Sequence, residues 1–334
     1  MQSPASLMCA YHRALSSDFA EAHVFPNALG GVTSSDRTLC KACNHEVNSR
    51  VENPSLDFFS FYRSAWRIGS RRQKIPPVAG EVRFADGRSF PVTLGPDGEV
   101  RRAIVQAEKM SDGRRSYFVV GTPERIARER AQIDSRRPGL RWEGGEVDHP
   151  CAILVDLDMD ADKPLLRRLA AKVAFERACM LRGGDFMAGP EFDAVRAFIL
   201  EGVEPRMVCG LIGDEAAYRD PGPVSFGLGR HAVIVTTQQN VFGAVVVFFG
   251  LFYYWVTLAR PYGVLAQWDD VLIENPQSGE VTSPIFRSAR GALQFPWDLW
   301  HGASTKTPGE VSKAVAERAM RRLEKGTDDF YGAG

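Results

Sequence analysis

Four side chains near the start of the chain have the types and the spacing of a metal grip. Cys9 and His12 stand three apart, and so do Cys40 and Cys43. A pair spaced this way can hold one ion from a tight knuckle turn. Two such pairs complete a tetrahedral set of sulfur and nitrogen donors of the kind structural Zn2+ takes. The 27 residues between the pairs exceed the gap of a simple zinc finger and are enough for a ββα module. Taken alone, Cys40-x2-Cys43 would also fit a redox pair, but no thioredoxin-like βαβ pattern surrounds it. His23 stands by itself between the two pairs. A neutral imidazole titrates near pH 7, so it suits proton transfer, although a packed histidine bonded to a backbone group is the plainer reading of a lone one.

Around these residues the chain reads Glu21-Ala22-His23-Val24-Phe25-Pro26, then Gly30-Gly31, then Leu39-Cys40-Lys41-Ala42-Cys43-Asn44. The series resembles the HNH endonuclease superfamily (the His-Me finger, or ββα-metal fold). It is most similar to the zinc-knuckle members, whose pattern runs C-x2-C, E-H-x-x-P, G-G, C-x2-C-N. The resemblance covers residues 9–52. It implies that His23 is the general base that activates water for attack on phosphorus. It also implies a single divalent cation, Mg2+, Mn2+ or another, that stabilises the leaving oxygen. In that family the cation's ligands come from just before the histidine and from the helix after the second knuckle. Asn44 and Asn48 lie four apart, so a helix turns both amides to one face. Glu21 is the nearby carboxylate, and His45 falls on another face, at the surface or on a phosphate.

Two positions depart from the family's pattern. An acidic residue or histidine usually precedes the base, and here Ala22 does. Glu21 comes one position earlier, and a strand turns it to the side opposite position 22. The asparagine that commonly orients the base is absent, with Ser35 and Asp36 in its neighbourhood. Such partners fix the tautomer of a base, and Asp36 is the candidate substitute.

The elements that must position these groups are partly legible. Asn53-Pro54 ends the opening module, since a residue before proline leaves the helical region. In the following segment Arg63, Arg67 and Arg71 lie four apart, and a helix would stack them on one face. With Arg72 they are candidate nucleic-acid contacts; a solvated amphipathic helix is the plain alternative. Pro76-Pro77 marks a linker. Asp86-Gly87 and Asp97-Gly98 between apolar runs signal hairpins. A charged helix follows Thr122-Pro123, and residues 151–159 read as a buried strand. Helices are expected over 164–181, with proline in the first turn and Gly183-Gly184 beyond the end, and over 190–200. Residues 231–258 read as two or three strands, 260–306 as irregular, and Thr307 to about Lys325 as a capped charged helix.

Composition bounds the partners. The 334 residues carry 41 Lys+Arg and 41 Asp+Glu, so no global charge draws the chain to nucleic acid or membrane. Residues 1–75 hold nine basic against six acidic residues, a mild local excess. Six cysteines, three of them in the first 43 residues, fit metal binding in a reducing cytoplasm better than a disulfide scaffold. The first residues show no basic segment followed by an apolar core, and no signal peptide is expected. Val241 to Leu258 is uncharged for 18 residues, barely a membrane span. Its β-branched and aromatic content, with Gly243 and Gly250 inside it, argues for buried strands.

Other motifs carry less. Asp156, Asp158, Asp160 and Asp162 alternate, but a calcium loop would need glycine and glutamate where Ala161 and Arg167 stand; acidic groups before a helix suit its dipole instead. Gly227-Leu228-Gly229 opens a β-like run and is no dinucleotide fingerprint. His149 with Cys151 reads as incidental, and Cys179 as buried and inert.

The expected fold is α+β: a zinc-stapled ββα-metal module with a basic helix over 1–75, a hairpin-rich region over 76–150, and a larger mixed α+β domain over 151–334. The expected function is a cytoplasmic, metal-dependent nuclease acting on DNA, or on RNA. A zinc-stapled nucleic-acid-binding module without catalysis is one alternative. A nuclease effector of a defence system, gated by a ligand of the C-terminal domain, is the other. Homo-oligomerisation and a regulatory ligand are left open, and no membrane is expected.

Overall fold

The structure, a computed structural model, describes residues 6–69, 74–83, 87, 89–96, 104–109, 115–120, 123–136, 152–154, 160–203, 208–212, 228–238, 241–260, 269–283, 313 and 317. It is mixed helix and strand, as the α+β reading requires. In chain order, β1 (Leu7–Met8), β2 (Leu15–Ser16), β3 (Ala22–His23) and β4 (Ser34–Ser35) precede helix α1 (Lys41–Val47). A π-helical turn over Asn48–Glu52 continues α1 into the short α2 (Asn53–Ser55). Then come α3 (Ser60–Ala65), strands β5 (Val78–Arg83), β6 (Ser89–Leu94), β7 (Ile104–Lys109) and β8 (Arg115–Val120), helix α4 (Pro123–Arg136) and β9 (Ala152–Leu154). The remainder is α5 (Pro164–Arg182), α6 (Gly184–Met187), α7 (Asp193–Glu201), β10 (Cys209–Leu211), β11 (His231–Gln238), β12 (Val241–Phe248), β13 (Phe252–Ala259), β14 (Asp269–Glu274) and β15 (Val281–Thr282).

These elements fall into two compact units. One joins residues Met1–Phe59 to Met159–Gly334; the other is the intervening Ser60–Asp158. The opening module and the C-terminal elements thus share one unit, whereas the sequence suggested boundaries near 75 and 150.

In the first unit, β10–β13–β12–β11–β14–β15 form a six-stranded antiparallel sheet. The uncharged run from Val241 becomes β12 and β13, reversed at Phe249 and Gly250, both with left-handed backbone (φ 56° and 65°). Among the described residues no helix is long and apolar enough to cross a membrane. β14 and β15 correct the expectation of irregular structure over 260–306: a short apolar run, Val271-Leu272-Ile273, pairs with β11 despite its polar flanks. Alternation turns Phe242 and Phe248 to one face of β12. There Phe242 meets Phe186 and Phe192, and Phe248 meets Phe25 and Phe59.

Helix α5 is the centre of this unit. It is buried over most of its length, from Leu166 to Cys179, and small residues at Ala170, Ala171, Ala174 and Ala178 let neighbours approach. It packs against β10, β11, β12 and β13, α7 and the π-helical turn. Lys172, Glu176 and Arg177 are charged side chains of this helix that are buried as well.

In the second unit β6, β5 and β9 form an antiparallel sheet, and β7 pairs with β8. Phe61 packs on its cluster of Val78, Val82, Phe90, Val92 and Leu94. Helix α3 stops at Ala65, and Arg67 takes left-handed backbone (φ 53°). The helix expected to stack Arg63, Arg67 and Arg71 is therefore not formed: Arg63 is buried and Arg67 exposed. Arg71, Arg72, Asp97-Gly98, Asp156, Asp158, His149, Cys151 and most of the expected last helix lie outside the described residues.

Candidate functional site

The metal grip is assembled by a β-hairpin turn and the start of a helix. β1 and β2 close the first knuckle: the Cys9 N–H donates to the Ala14 carbonyl at 3.0 Å, and the Arg13 N–H returns to the Cys9 carbonyl. Arg13 turns the chain with left-handed backbone (φ 55°). The second knuckle is the start of α1, with Cys40 just before it and Cys43 in its first turn. The bridge Phe19–Cys40 ties the two stretches together.

This geometry brings Cys9, His12, Cys40 and Cys43 together, their donor atoms all within 4.8 Å of one another. His12 Nδ1 lies 3.2 Å from Cys43 Sγ and 3.4 Å from Cys40 Sγ. The three sulfurs are buried and the imidazole is exposed. A hydrogen bond with Cys43, helped by backbone N–H groups including that of Cys40, pulls the Cys9 thiol down to about 4 against the effect of burial. Shared between two sulfurs, that proton pushes Cys43 upward. Three cysteines and one histidine gathered within reach of one ion fit a structural Zn2+.

His23 sits on the hairpin between the knuckles. β3 pairs with β4 in the register Ala22↔Ser35 and His23↔Ser34. Strand alternation buries Ala22, leaves His23 half-buried and exposes Glu21. Glu21 therefore shares the outward side with His23, and its Oε1 accepts from the Ser34 hydroxyl at 2.9 Å. A carboxylate at position 22 would point into the core. After Pro26 a single 3-10 turn ends at Gly30 (φ 85°), and Gly31 folds back under Phe25. A Cβ on Gly31 would lie 1.9 Å from the Phe25 carbonyl oxygen, so only glycine fits there.

Asn27, not among the residues that sequence pattern singles out, brings its Nδ2 to 3.5 Å from His23 Nε2. Its signal is slight, an asparagine four residues beyond the histidine in a Pro-Gly-Gly turn. Asp36 is exposed, with its carboxylate 3.9 Å from the neighbouring Arg37. Asn44 and Asn48 are both half-buried, one turn apart, and the Asn48 N–H donates to the Asn44 carbonyl. The π-helical turn begins at Asn48; such widened turns recur at functional sites.

Beneath the hairpin lie charged groups from the C-terminal elements. Lys172 Nζ donates to the carbonyls of His23 (2.5 Å) and Val24 (3.1 Å), and pairs with Glu52 (2.7 Å) and Glu176 (2.9 Å). Burial alone would lower this ammonium, but Glu176 and Glu52 more than offset it and raise it. Burial pushes Glu176 up to about 8, against the attraction of Lys172. Further along, His231 bonds to the Leu29 carbonyl, and Glu274 accepts from the N–H groups of Val32 and Thr33 at 3.0 and 2.8 Å. A Lys and a Glu four apart, set among Ala, Val and Phe in the middle of α5, are the sequence signal for Lys172.

Cys179 is buried, and desolvation pushes its thiol up, in keeping with an inert side chain. Asp160 and Asp162 precede α5, where the Asp162 N–H donates to Asp160 Oδ1.

Residues 8–60 match the family model of HNH endonucleases. No curated protein and no solved structure matches the chain. The match agrees with the four-donor cluster and carries a general nuclease or nucleic-acid-binding role for this module.

Proposed function

We propose that the chain is a metal-dependent nuclease that hydrolyses phosphodiester bonds in DNA, with RNA as the other substrate class, and that His23 is its general base. The observation that carries the reading is the placement of His23: a half-buried imidazole on a β-hairpin between two metal-binding knuckles, inside a segment that matches HNH endonucleases. The imidazole takes a proton from water as the water attacks phosphorus. Asn27 orients the ring through Nε2. Zinc held by Cys9, His12, Cys40 and Cys43 has no chemical part; it fixes both ends of the hairpin module.

Glu21, Asn44 and Asn48 are the oxygen donors that would hold a divalent cation, and hard cations such as Mg2+ and Mn2+ prefer such donors. Bound there, the cation would supply charge stabilisation for the leaving oxygen. Arg67, with Arg71 and Arg72, is a candidate for phosphate contacts; the buried Arg63 is unsuited to a solvent-facing one.

The zinc-loaded protein, incubated with plasmid DNA and Mg2+ or Mn2+, should nick or linearise it, and His23→Ala should lower the rate by about 10²–10⁴-fold. Cleavage that survives His23→Ala would sink the mechanism. The buried Ala22, in place of an acidic ligand, favours a second reading: a zinc-stapled module that binds nucleic acid without cutting it. Salt-dependent DNA binding with no cleavage under either cation would select that reading.

A further inference from the structure

The hairpin that carries His23 is held by buried side chains from a distant part of the chain. Lys172, in the middle of α5, is buried; its ammonium donates to the carbonyls of His23 and Val24 and forms ion pairs with Glu52 and Glu176. A buried ammonium is costly unless fully paired. Glu52 lies at the end of the π-helical turn that follows Asn48. One cation therefore links the backbone of the proposed base to the segment that carries the proposed cation ligands. The loop beyond His23 is held in the same way, by His231 at Leu29 and by Glu274 at Val32 and Thr33.

From this geometry we infer that Lys172 is a positioning residue: it sets the distance between His23 and the Asn44–Asn48 face by gripping the carbonyls of His23 and Val24 on one side and Glu52 on the other. The inference rests on the proposed role of His23. It makes α5 and the C-terminal sheet part of the reaction centre's frame, not a separable accessory domain. A shift of about 1 Å between reacting groups can cost about 100-fold in rate, so loss of this grip shows in turnover more than in substrate affinity.

The test uses the full-length, zinc-loaded protein. Lys172→Met removes the grip, and Lys172→Met combined with Glu52→Gln removes it without leaving the half-buried Glu52 carboxylate unpaired. Arg177→Met is the control: it lies on the same helix, is buried, and pairs with Asp270, away from the hairpin. Zinc content, hydrogen exchange across residues 22–35, kcat and KM are measured for each. In the Lys172 variants, exchange over 22–35 should rise by at least about tenfold. Their kcat should fall about 100-fold, with KM within about threefold and zinc retained. Arg177→Met should change none of these at the hairpin. The inference is overturned if folded Lys172 variants keep wild-type exchange and kcat, or if Arg177→Met reproduces their effects. It is also overturned if both Lys172 variants fail to fold, since the lysine then serves the whole unit and not the hairpin. If the wild type cleaves no nucleic acid, the nuclease reading fails, and the exchange data still decide whether Lys172 holds the segment.

Discussion

His231 bonds through Nε2 to the Leu29 carbonyl oxygen at 3.0 Å, while its Nδ1 accepts from the Phe249 N–H at 3.3 Å. These two bonds fix one neutral tautomer, with the proton on Nε2. The ring is buried, stacked on Phe25, and desolvation lowers it from the ordinary histidine value to about 4. The unfolded chain therefore binds a proton between about pH 6.5 and pH 4 that the folded chain excludes. Stability from this group is complete above about pH 6.5 and falls as pH drops towards 4, by about 3 kcal/mol in all at 1.36 kcal/mol per pKa unit. The expected outcome is that His231→Gln, which keeps a donor for Leu29, loses less urea stability than wild type between pH 7 and pH 4.5. The difference between the two proteins at each pH isolates His231 from acid release of zinc.

Removal of the metal tests the four-donor cluster directly. The chain should purify with one Zn2+, and either Cys40→Ser or Cys43→Ser should lower its occupancy. A chelator should lower the melting temperature and release the ion, because binding free energy in such sites is folding free energy. Elemental analysis beside a thermal scan reads both. A full-length protein with no zinc and an unchanged melting temperature after chelation would leave the cluster as four clustered side chains and nothing more.

Ala22 and Glu21 separate two explanations of the missing acidic ligand. Position 22 faces the core, so Ala22→Asp should not create a ligand. It should destabilise the module by about 3 kcal/mol, the scale of an uncompensated buried charge. Glu21 shares the outward side with His23, so Glu21→Gln should raise the Mg2+ or Mn2+ concentration needed for half-maximal cleavage by roughly tenfold, with little effect on stability. Cation titrations of cleavage and denaturant melts of both variants decide it. An Ala22→Asp protein that is stable and faster than wild type would mean that position 22 reaches the cation after all.

The local patterns are legible in the sequence because their causes are local. Knuckle spacing puts donors on tight turns, so Cys9, His12, Cys40 and Cys43 group together on spacing alone. Proline in the first turn and Gly183 after the last one bound α5 to within a residue. What stays hidden depends on tertiary contact. The burial of Arg63, the pairing of Val271–Ile273 with β11 and the grip of Lys172 on His23 have no short-range signature. The same holds for the division into units, because α5 and the sheet complete the fold of a module more than a hundred residues earlier in the chain.

Gly31 gives a steric test of the hairpin's close return. Its Cβ position lies 1.9 Å from the Phe25 carbonyl oxygen, and that neighbour is backbone, which cannot swing aside. Gly31→Ala should therefore cost about 3 kcal/mol, at the upper end of overpacking penalties, whereas an alanine at the solvent-facing Gly87, where nothing lies nearby, costs only its left-handed backbone strain. Paired urea melts of the two variants compare the effects. Equal losses would mean that the Gly31 turn relaxes without strain.

Glu274 is the remaining hold on the loop. It is buried at the end of β14 and accepts two backbone N–H groups, Val32 through Oε2 and Thr33 through Oε1. Glu274→Ala takes the acceptor from two part-buried donors, at up to about 1–3 kcal/mol each where water does not replace it. Glu274→Gln keeps one carbonyl oxygen, so it should satisfy one donor and turn an amide NH2 towards the other. Native-state hydrogen exchange resolved at single amides should then show both Val32 and Thr33 deprotected in Glu274→Ala, and one of them more than the other in Glu274→Gln. The Ala14-bonded amide of Cys9, on the first knuckle, should keep its wild-type rate in both. Deprotection that spreads evenly to Cys9 would mean that Glu274 supports the unit as a whole, and a wild-type rate at Thr33 in Glu274→Ala would mean that it supports nothing there.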